Sequence, residues 1–349
     1  MSEAPPFWFG KPGPAAWALW PFSLAYGWFA ARRMGQPPAT ISDVPVFCVG
    51  NLIAGGAGKT PTAIAVSKIA RDMGLKPGFL SRGYGGTKSA PVLVDIKQHS
   101  AHDVGDEPLI LALYADTVVS ADRPAGAAFL AERDVDLIIM DDGFQNPSLH
   151  KDYNLVVVDA RRGIGNGFCI PSGPLRLDLQ TQLAAAQSVL LIGQSPAGTE
   201  VVRRCARSGK PVLSADITLR EMKKFKDVNV FAFCGIADPV KFYKSLAQAG
   251  ANVMETRSFP DHHPYTLDDC RELMAAAASK KLKLVTTEKD NVRLVRAGSV
   301  QQELRNTSMV LPIDLKFDNP KLIEMAIKET LKRASNTRIS LKKGTNAAD

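Results

Sequence analysis

From Val44 onward the chain alternates short apolar runs with segments long enough to be helices. VPVFCV (44–49), KPGFLS (76–81), DTVVSA (116–121), DLIIMDD (136–142), YNLVVVDA (153–160) and SVLLIG (188–193) read as strands. Their hydrophobicity is continuous rather than alternating, as expected of strands covered on both faces. Such strands, separated by helix-length segments, predict an α/β fold around a parallel sheet. A second series follows the charged stretch REMKKFKD (220–227): a strand at NVFAFCG, a helix through KFYKSLAQAG, a helix over LDDCRELMAAAASKK and a strand at KLKLVTT.

The composition shift near 216–228 marks a domain boundary. The organisation expected is a membrane-associating helix over 1–33, a phosphate-loop core over 34–215 and a smaller α/β domain over 216–335. Residues 336–349 complete the chain as a flexible basic tail.

The N-terminal segment breaks the pattern. AAWALWPFSLAYGWFAA (15–31) carries no charge until Arg32 and Arg33, and the four tryptophans, Trp8, Trp17, Trp20 and Trp28, all lie in this region. A signal peptide would put basic residues ahead of the apolar run, not behind it. A membrane span needs about 20 apolar residues, and this run is interrupted by Pro21 and crowded with headgroup-zone residues. A helix lying in the membrane surface fits better. Aromatics at helical spacing also fit a helix packed on its own domain.

Of the 349 residues, 45% are hydrophobic and 22% charged, an ordinary globular balance. The net charge of +8 suits anionic partners: nucleotide, phospholipid headgroups or nucleic acid. No zinc finger, RNP strand or basic zipper is present, which argues against nucleic acid. Cys48, Cys169, Cys205, Cys234 and Cys270 stand singly, without a C-x-x-C pair. That argues against a disulfide framework and a zinc ribbon, implies a reducing compartment, and reads as small buried hydrophobes.

The candidate chemistry centres on GGAGKT (55–60). A standard phosphate loop begins with glycine five residues before Gly58, where this chain has Ile53. Context restores the reading, because VPVFCV supplies a strand before the turn and PTAIAVSKIARDMG an amphipathic helix after it. In a loop over Ile53, Ala54, Gly55, Gly56, Ala57, Gly58, Lys59 and Thr60, main-chain N–H groups would surround phosphate oxygens at a helix N-terminus. Lys59 would reach the β/γ-phosphates of ATP, and Thr60 would ligate Mg2+. DLIIMDD ends in Asp141 and Asp142, either able to hold the metal directly or through water. GDEP (105–108) sets Asp106 and Glu107 ahead of an apolar run, where they read as helix caps. FPDHHPY (259–265) suggests a metal site at first sight. Adjacent side chains in an extended chain point apart, so one catalytic histidine is the better reading.

Taken in order, GNLIAGGAGKTP, SRGYGG, VGDEP, DDGFQ, GNGFCIPSGPLR, FPDHHPY and TTEKD resemble the tetraacyldisaccharide 4'-kinase family of the lipid A pathway, from the Trp-rich segment to about residue 330. The resemblance implies ATP- and Mg2+-dependent phosphorylation of a lipid A disaccharide 1-phosphate precursor. The implied location is the cytoplasmic face of the bacterial inner membrane, on an anionic surface and without an obligate protein partner. It makes Asp106 and His262 a dyad accepting the sugar hydroxyl's proton, against the cap reading of Asp106. It places Tyr84, Glu107, Gln145 and Arg176 around the site. Two positions depart from the family pattern: Asn146, where many members have His, and Leu177, where many have Glu. Two rivals are a deviant-Walker ATPase switch, whose signature lysine would stand where this chain has Ala54, and a soluble metabolite kinase.

Overall fold

The computed structural model describes residues 4–88, 90–295 and 298–345. The strands in chain order are β1 (Val46–Asn51), β2 (Pro77–Ser81), β3 (Val92–Leu93), β4 (Thr117–Val119), β5 (Leu137–Asp141), β6 (Tyr153–Asp159), β7 (Ser188–Ile192) and β8 (Val212–Leu219). They continue as β9 (Asn229–Cys234), β10 (Asn252–Ser258), β11 (Lys283–Thr287), β12 (Met309–Leu311) and β13 (Ile313–Phe317). Among the described residues they form two sheets, one of nine strands ordered β13-β8-β7-β6-β1-β5-β2-β4-β3 and one of four ordered β10-β9-β11-β12. All six of the strands expected from 44 to 193 lie in the first sheet.

Both faces of the first sheet are covered, as continuous apolar runs require. Phe47 and Val49 pack with Ala63, Val66 and Ala70 of the helix Lys59–Asp72 and with Ile323 and Ile327 of the last helix. The alternate residues Val46 and Cys48 pack on the other face with Ala127, Leu130, Leu183 and Val201. Pairing is parallel throughout the interior and antiparallel at both edges, β3 with β4 and β13 with β8. The small sheet is wholly parallel. Helix Pro239–Gln248 covers one of its faces through Phe242 and Leu246, and helix Leu267–Ser279 the other through Leu273 and Ala277.

The domain bounds differ from those expected at two places. β8 carries residues 216–219 within the first sheet, and β13 returns the chain to it, pairing Ile313 with Leu219 and Asp314 with Thr218. The last helix, Pro320–Thr345, then lies on that sheet, so the smaller lobe comprises about 220–312 and does not extend to 335. This helix also runs through most of the segment expected to be a flexible tail. Arg338 within it donates to the Ser42 carbonyl at 3.1 Å. Residues 346–349 lie outside the described ones. Composition carries no signal for such a return, because an edge strand and a covering helix look alike in either lobe.

The helix Pro14–Met34 docks through small residues. Ala16 is fully buried, and Ser23 Oγ donates to the Cys169 carbonyl at 2.8 Å while accepting from Ser172 N–H at 2.9 Å. Ser172 Oγ donates to the Ala16 carbonyl, and Trp8 Nε1 to the Pro171 carbonyl. Trp17, Phe22, Leu24, Trp28 and Phe29 remain exposed on the remaining surface. Among the described residues no helix is long and apolar enough to cross a membrane.

Candidate active site

β1 is central in the first sheet and ends where the phosphate loop begins. Ile53 is buried and bridges antiparallel to Leu175, while the Ala54 N–H donates to the Pro174 carbonyl and the Arg176 N–H to the Leu52 carbonyl. The segment 174–176 of IPSGPLR thus holds the loop's first residues as a short ladder. Asn51 Nδ2 donates to the carbonyls of Ile53 and Gly55 from below. Gly55 and Gly58 have φ of +100° and +88°, conformations that disfavour a side chain. Gly58 caps the helix that starts at Lys59, so the loop's amides open onto a helix N-terminus. Ala57 is buried, and Gly56 has no heavy atom near the place a Cβ would take.

β5 lies beside β1 with Asp141 opposite Val49, which brings both aspartates to the mouth of the loop. Thr60 Oγ1 donates to Asp141 Oδ2 at 3.3 Å, and Lys59 Nζ is 3.7 Å from Asp142 Oδ2. Arg176 grips Asp142 with both terminal nitrogens, at 2.9 and 3.3 Å, and also donates to Gln145. Gln145 in turn donates to the Asn51 carbonyl. The two acids differ electrostatically. Burial, and then the negative charge of Glu107, push the Asp141 carboxyl up to about 7. Burial acts on Asp142 in the same direction, but Lys59 and Arg176 hold it below the usual carboxylate range.

Asp141 Oδ1 is buried with no hydrogen-bond partner among the described residues. A buried acceptor left unpaired beside a threonine hydroxyl fits a cation. Among the described residues no cluster of three or more His, Cys, Asp or Glu side chains could hold a metal unaided.

The second lobe reaches this site at Asp106. Gly105, with φ +88°, turns the chain into the short helix Asp106–Leu111, where Asp106 is buried and one carboxylate oxygen accepts from the Glu107 N–H while the other faces the second lobe. His262 Nδ1 is 3.0 Å from Asp106 Oδ2, across the two lobes. The hydrogen bond to Asp106 raises the His262 pKa. Asp106 is pushed up by burial, yet His262, Lys289 and Arg293 together hold it well below the usual range. Glu107 pairs with Lys289 at 2.9 Å, and that cation lowers its pKa. His263 turns away and bonds Asp269 at 2.8 Å, so the adjacent histidines serve different partners.

Tyr84 is exposed, its ring centroid 6.4 Å from that of His262. Asn146 closes a turn by accepting from Ser148 N–H, and Leu177 is buried. The positions that depart from the family pattern therefore have local structural duties here. The roles of Lys289 and Arg293 are not legible in the sequence. TTEKD was visible as a motif, but nothing in its spacing tells which acids lie opposite it in the other lobe.

The chain matches the model of the tetraacyldisaccharide-1-P 4'-kinase family over residues 15–332. It is 49% identical over 334 residues to the tetraacyldisaccharide 4'-kinase of Sinorhizobium fredii, covering 96% of each chain. It is 48% identical over 331 residues to that of Agrobacterium fabrum, covering 94% of this chain and 95% of that one. The crystal structure of LpxK from Aquifex aeolicus in complex with ATP is similar with a TM-score of 0.71 at 25% identity, covering 90% of this chain and 99% of that one.

Proposed function

Because this chain belongs to the tetraacyldisaccharide 4'-kinase family, we propose that Lys59, Thr60, Asp141 and Asp142 serve its nucleotide and metal, and that Asp106 and His262 serve its acceptor. The reaction is transfer of the γ-phosphoryl group of ATP to the 4'-hydroxyl of a tetraacylated glucosamine disaccharide 1-phosphate, a step of lipid A biosynthesis. The observation that carries the residue assignment is the 3.0 Å contact of His262 with Asp106, next to Glu107, whose carboxyl is lowered in part by the charge of Lys59 and whose own charge raises Asp141.

The loose transition state of phosphoryl transfer makes positioning and charge neutralisation the main tasks. The loop amides and Lys59 would surround the β- and γ-phosphates. Thr60 and Asp141 would hold Mg2+, which neutralises charge on the phosphate oxygens when bound. Asp142 is kept ionised by Arg176 and Lys59, a fixed negative charge that orients the lysine. An ionised Asp106 accepts from His262 Nδ1–H, which leaves the Nε2 side of the ring for the hydroxyl proton.

The exposed aromatic surface of the helix Pro14–Met34 supports a monotopic attachment at the cytoplasmic face of the inner membrane. Trp28 and Phe29 precede Arg32 and Arg33, which would meet anionic headgroups. A four-chain lipid acceptor stays in the bilayer, so an enzyme lying on the surface meets it in two dimensions. The test of the whole reading is to incubate the purified full chain with γ-labelled ATP, Mg2+ and tetraacyldisaccharide 1-phosphate. Label is expected in a bisphosphorylated lipid, and its absence beside an active control enzyme would refute the assignment.

A further inference from the structure

The second lobe touches the acidic pair Asp106–Glu107 through the short helix Glu288–Arg293. Residues four apart share a helix face, so Lys289 and Arg293 emerge together, one toward each acid. Lys289 Nζ lies 2.9 Å from Glu107 Oε1. Arg293 Nε donates to Asp106 Oδ2 at 3.1 Å, and Nη2 donates to the same oxygen. Arg293 and Asp106 are both almost wholly buried, unlike the lysine pair, whose side chains are 34% and 31% exposed.

The guanidinium is itself immobilised. Nη1 donates to Asp290 Oδ1 at 2.7 Å and to the Gly235 carbonyl at 2.6 Å. Asp290 is fully buried and accepts in addition from Gly235 N–H, Tyr265 Oη and Thr287 Oγ1. Gly235 also accepts from the His262 N–H, so the backbone carrying the histidine and the arginine holding the aspartate share one anchor. With Oδ1 taken by the Glu107 N–H and Oδ2 by Arg293 and His262, the Asp106 carboxylate has no freedom to rotate.

We infer that Arg293 is a positioning residue for phosphoryl transfer, fixing the Asp106 carboxylate in the orientation that engages His262 Nδ1. The inference rests on the dyad reading above and adds a third member supplied by the second lobe. Arg293 reaches the acceptor only through Asp106.

The charged and titratable groups around the dyad are Lys289 and Arg293 facing Asp106, Asp261 and Arg293 facing His262, Glu107 alongside, and Asp290 with Tyr265 behind the guanidinium. Removing one cation from this set raises the proton affinity of both dyad members. The acid limb of the rate profile then moves to higher pH, whichever member accepts the proton. A residue needed only for folding would leave that limb in place.

The experiment compares Arg293→Met and Arg293→Lys in the full chain, by kcat against pH, KM for ATP, melting temperature and an NMR titration of 15N-labelled His262. Arg293→Met is expected to lower kcat about 100-fold, in the range for losing one preorganised donor, with KM for ATP changed less than about twofold. Its acid limb and the His262 titration should both rise by about one pH unit, the lower end of what one adjacent arginine does to a carboxylate. Arg293→Lys should restore the limb and recover part of kcat. Should the Met variant fail to fold, Arg293→Gln gives the same comparison with the charge removed and a donor kept. An unmoved limb and unmoved His262 titration in the neutral variant would overturn the inference. Full activity of Asp106→Asn would instead overturn the dyad on which it rests.

Discussion

Ser23→Ala should loosen the docked N-terminal helix without touching the phosphate loop. Ser23 is 4% exposed and its hydroxyl joins two backbone groups of the facing loop, the Cys169 carbonyl and the Ser172 N–H. Alanine leaves the Ser172 N–H unpaired, whereas the Cys169 carbonyl still accepts from the Gly173 N–H at 2.9 Å. One unmet buried group costs about 1–3 kcal/mol, so the loss is taken at the middle of that range, about 2 kcal/mol. The gain in helix propensity from Ser to Ala, at most about 0.5 kcal/mol, acts on the helix and not on its docking. About 2 kcal/mol is roughly a 30-fold shift toward the undocked state. Tryptophan emission reads this selectively, because Trp8, Trp17, Trp20 and Trp28 are the chain's four tryptophans and all precede residue 35. In a urea titration the emission transition of Ser23→Ala should move to lower urea than in the parent protein, while the far-UV circular dichroism transition of the two sheets stays in place. Coincident emission transitions in variant and parent would refute the docking role assigned to this hydroxyl.

Lys59→Ala should lower kcat/KM by about 10²–10³-fold, the range for losing a preorganised charge stabiliser, with the melting temperature nearly unchanged; near-normal turnover of a folded variant would argue against the loop assignment. Asp106→Ala and His262→Ala should each depress kcat strongly, and the double variant should lose little more than either single, since members of one catalytic unit are not additive; His263→Ala, whose partner is Asp269, should be mild in steady-state kinetics. Stability should also report the dyad. The His262 pKa is raised in the folded state by its hydrogen bond to Asp106, so its contribution is fully present below the unfolded value of about 6.5 and is lost as pH rises through the folded value. Urea titrations of the parent and His262→Gln should therefore differ most near pH 6 and converge on the alkaline side; a gap that widens with pH would contradict the pairing.

The strands of the first sheet were legible because burial on both faces writes itself as an unbroken apolar run, and the phosphate loop because strand, glycines and helix occur in one short window. Ile53 was the ambiguous position. Its reason lies 122 positions away, at Leu175, in a bridge that no local pattern announces. Asp106 read locally as a helix cap because the first turn of a helix is where such acids usually sit, and only the opposing lobe brings His262 and Arg293 to it. Arg293 itself falls in an ordinary charged helical stretch, and its burial depends wholly on tertiary contacts. The N-terminal segment was readable as an unusual helix. Its docking stripe of Ala16, Ser23 and Gly27 is small and inconspicuous among the tryptophans, with Gly27 set close against Cys169.

The pairing of Leu219 with Ile313 gives the molecule a nested plan. Arg220 N–H still bonds the Pro312 carbonyl, so the chain leaves and re-enters the large sheet at adjacent points on one strand pair. The histidine-bearing lobe is thus an insertion at the tip of a β-hairpin, and a two-residue turn joining β8 to β13 would close the hairpin without it. The phosphate-loop unit would retain its full set of sheet strands and its covering last helix, yet would lose His262, Lys289 and Arg293 together. His262, Lys289 and Arg293 therefore arrive as one cassette, tethered to the large sheet by two neighbouring segments of chain.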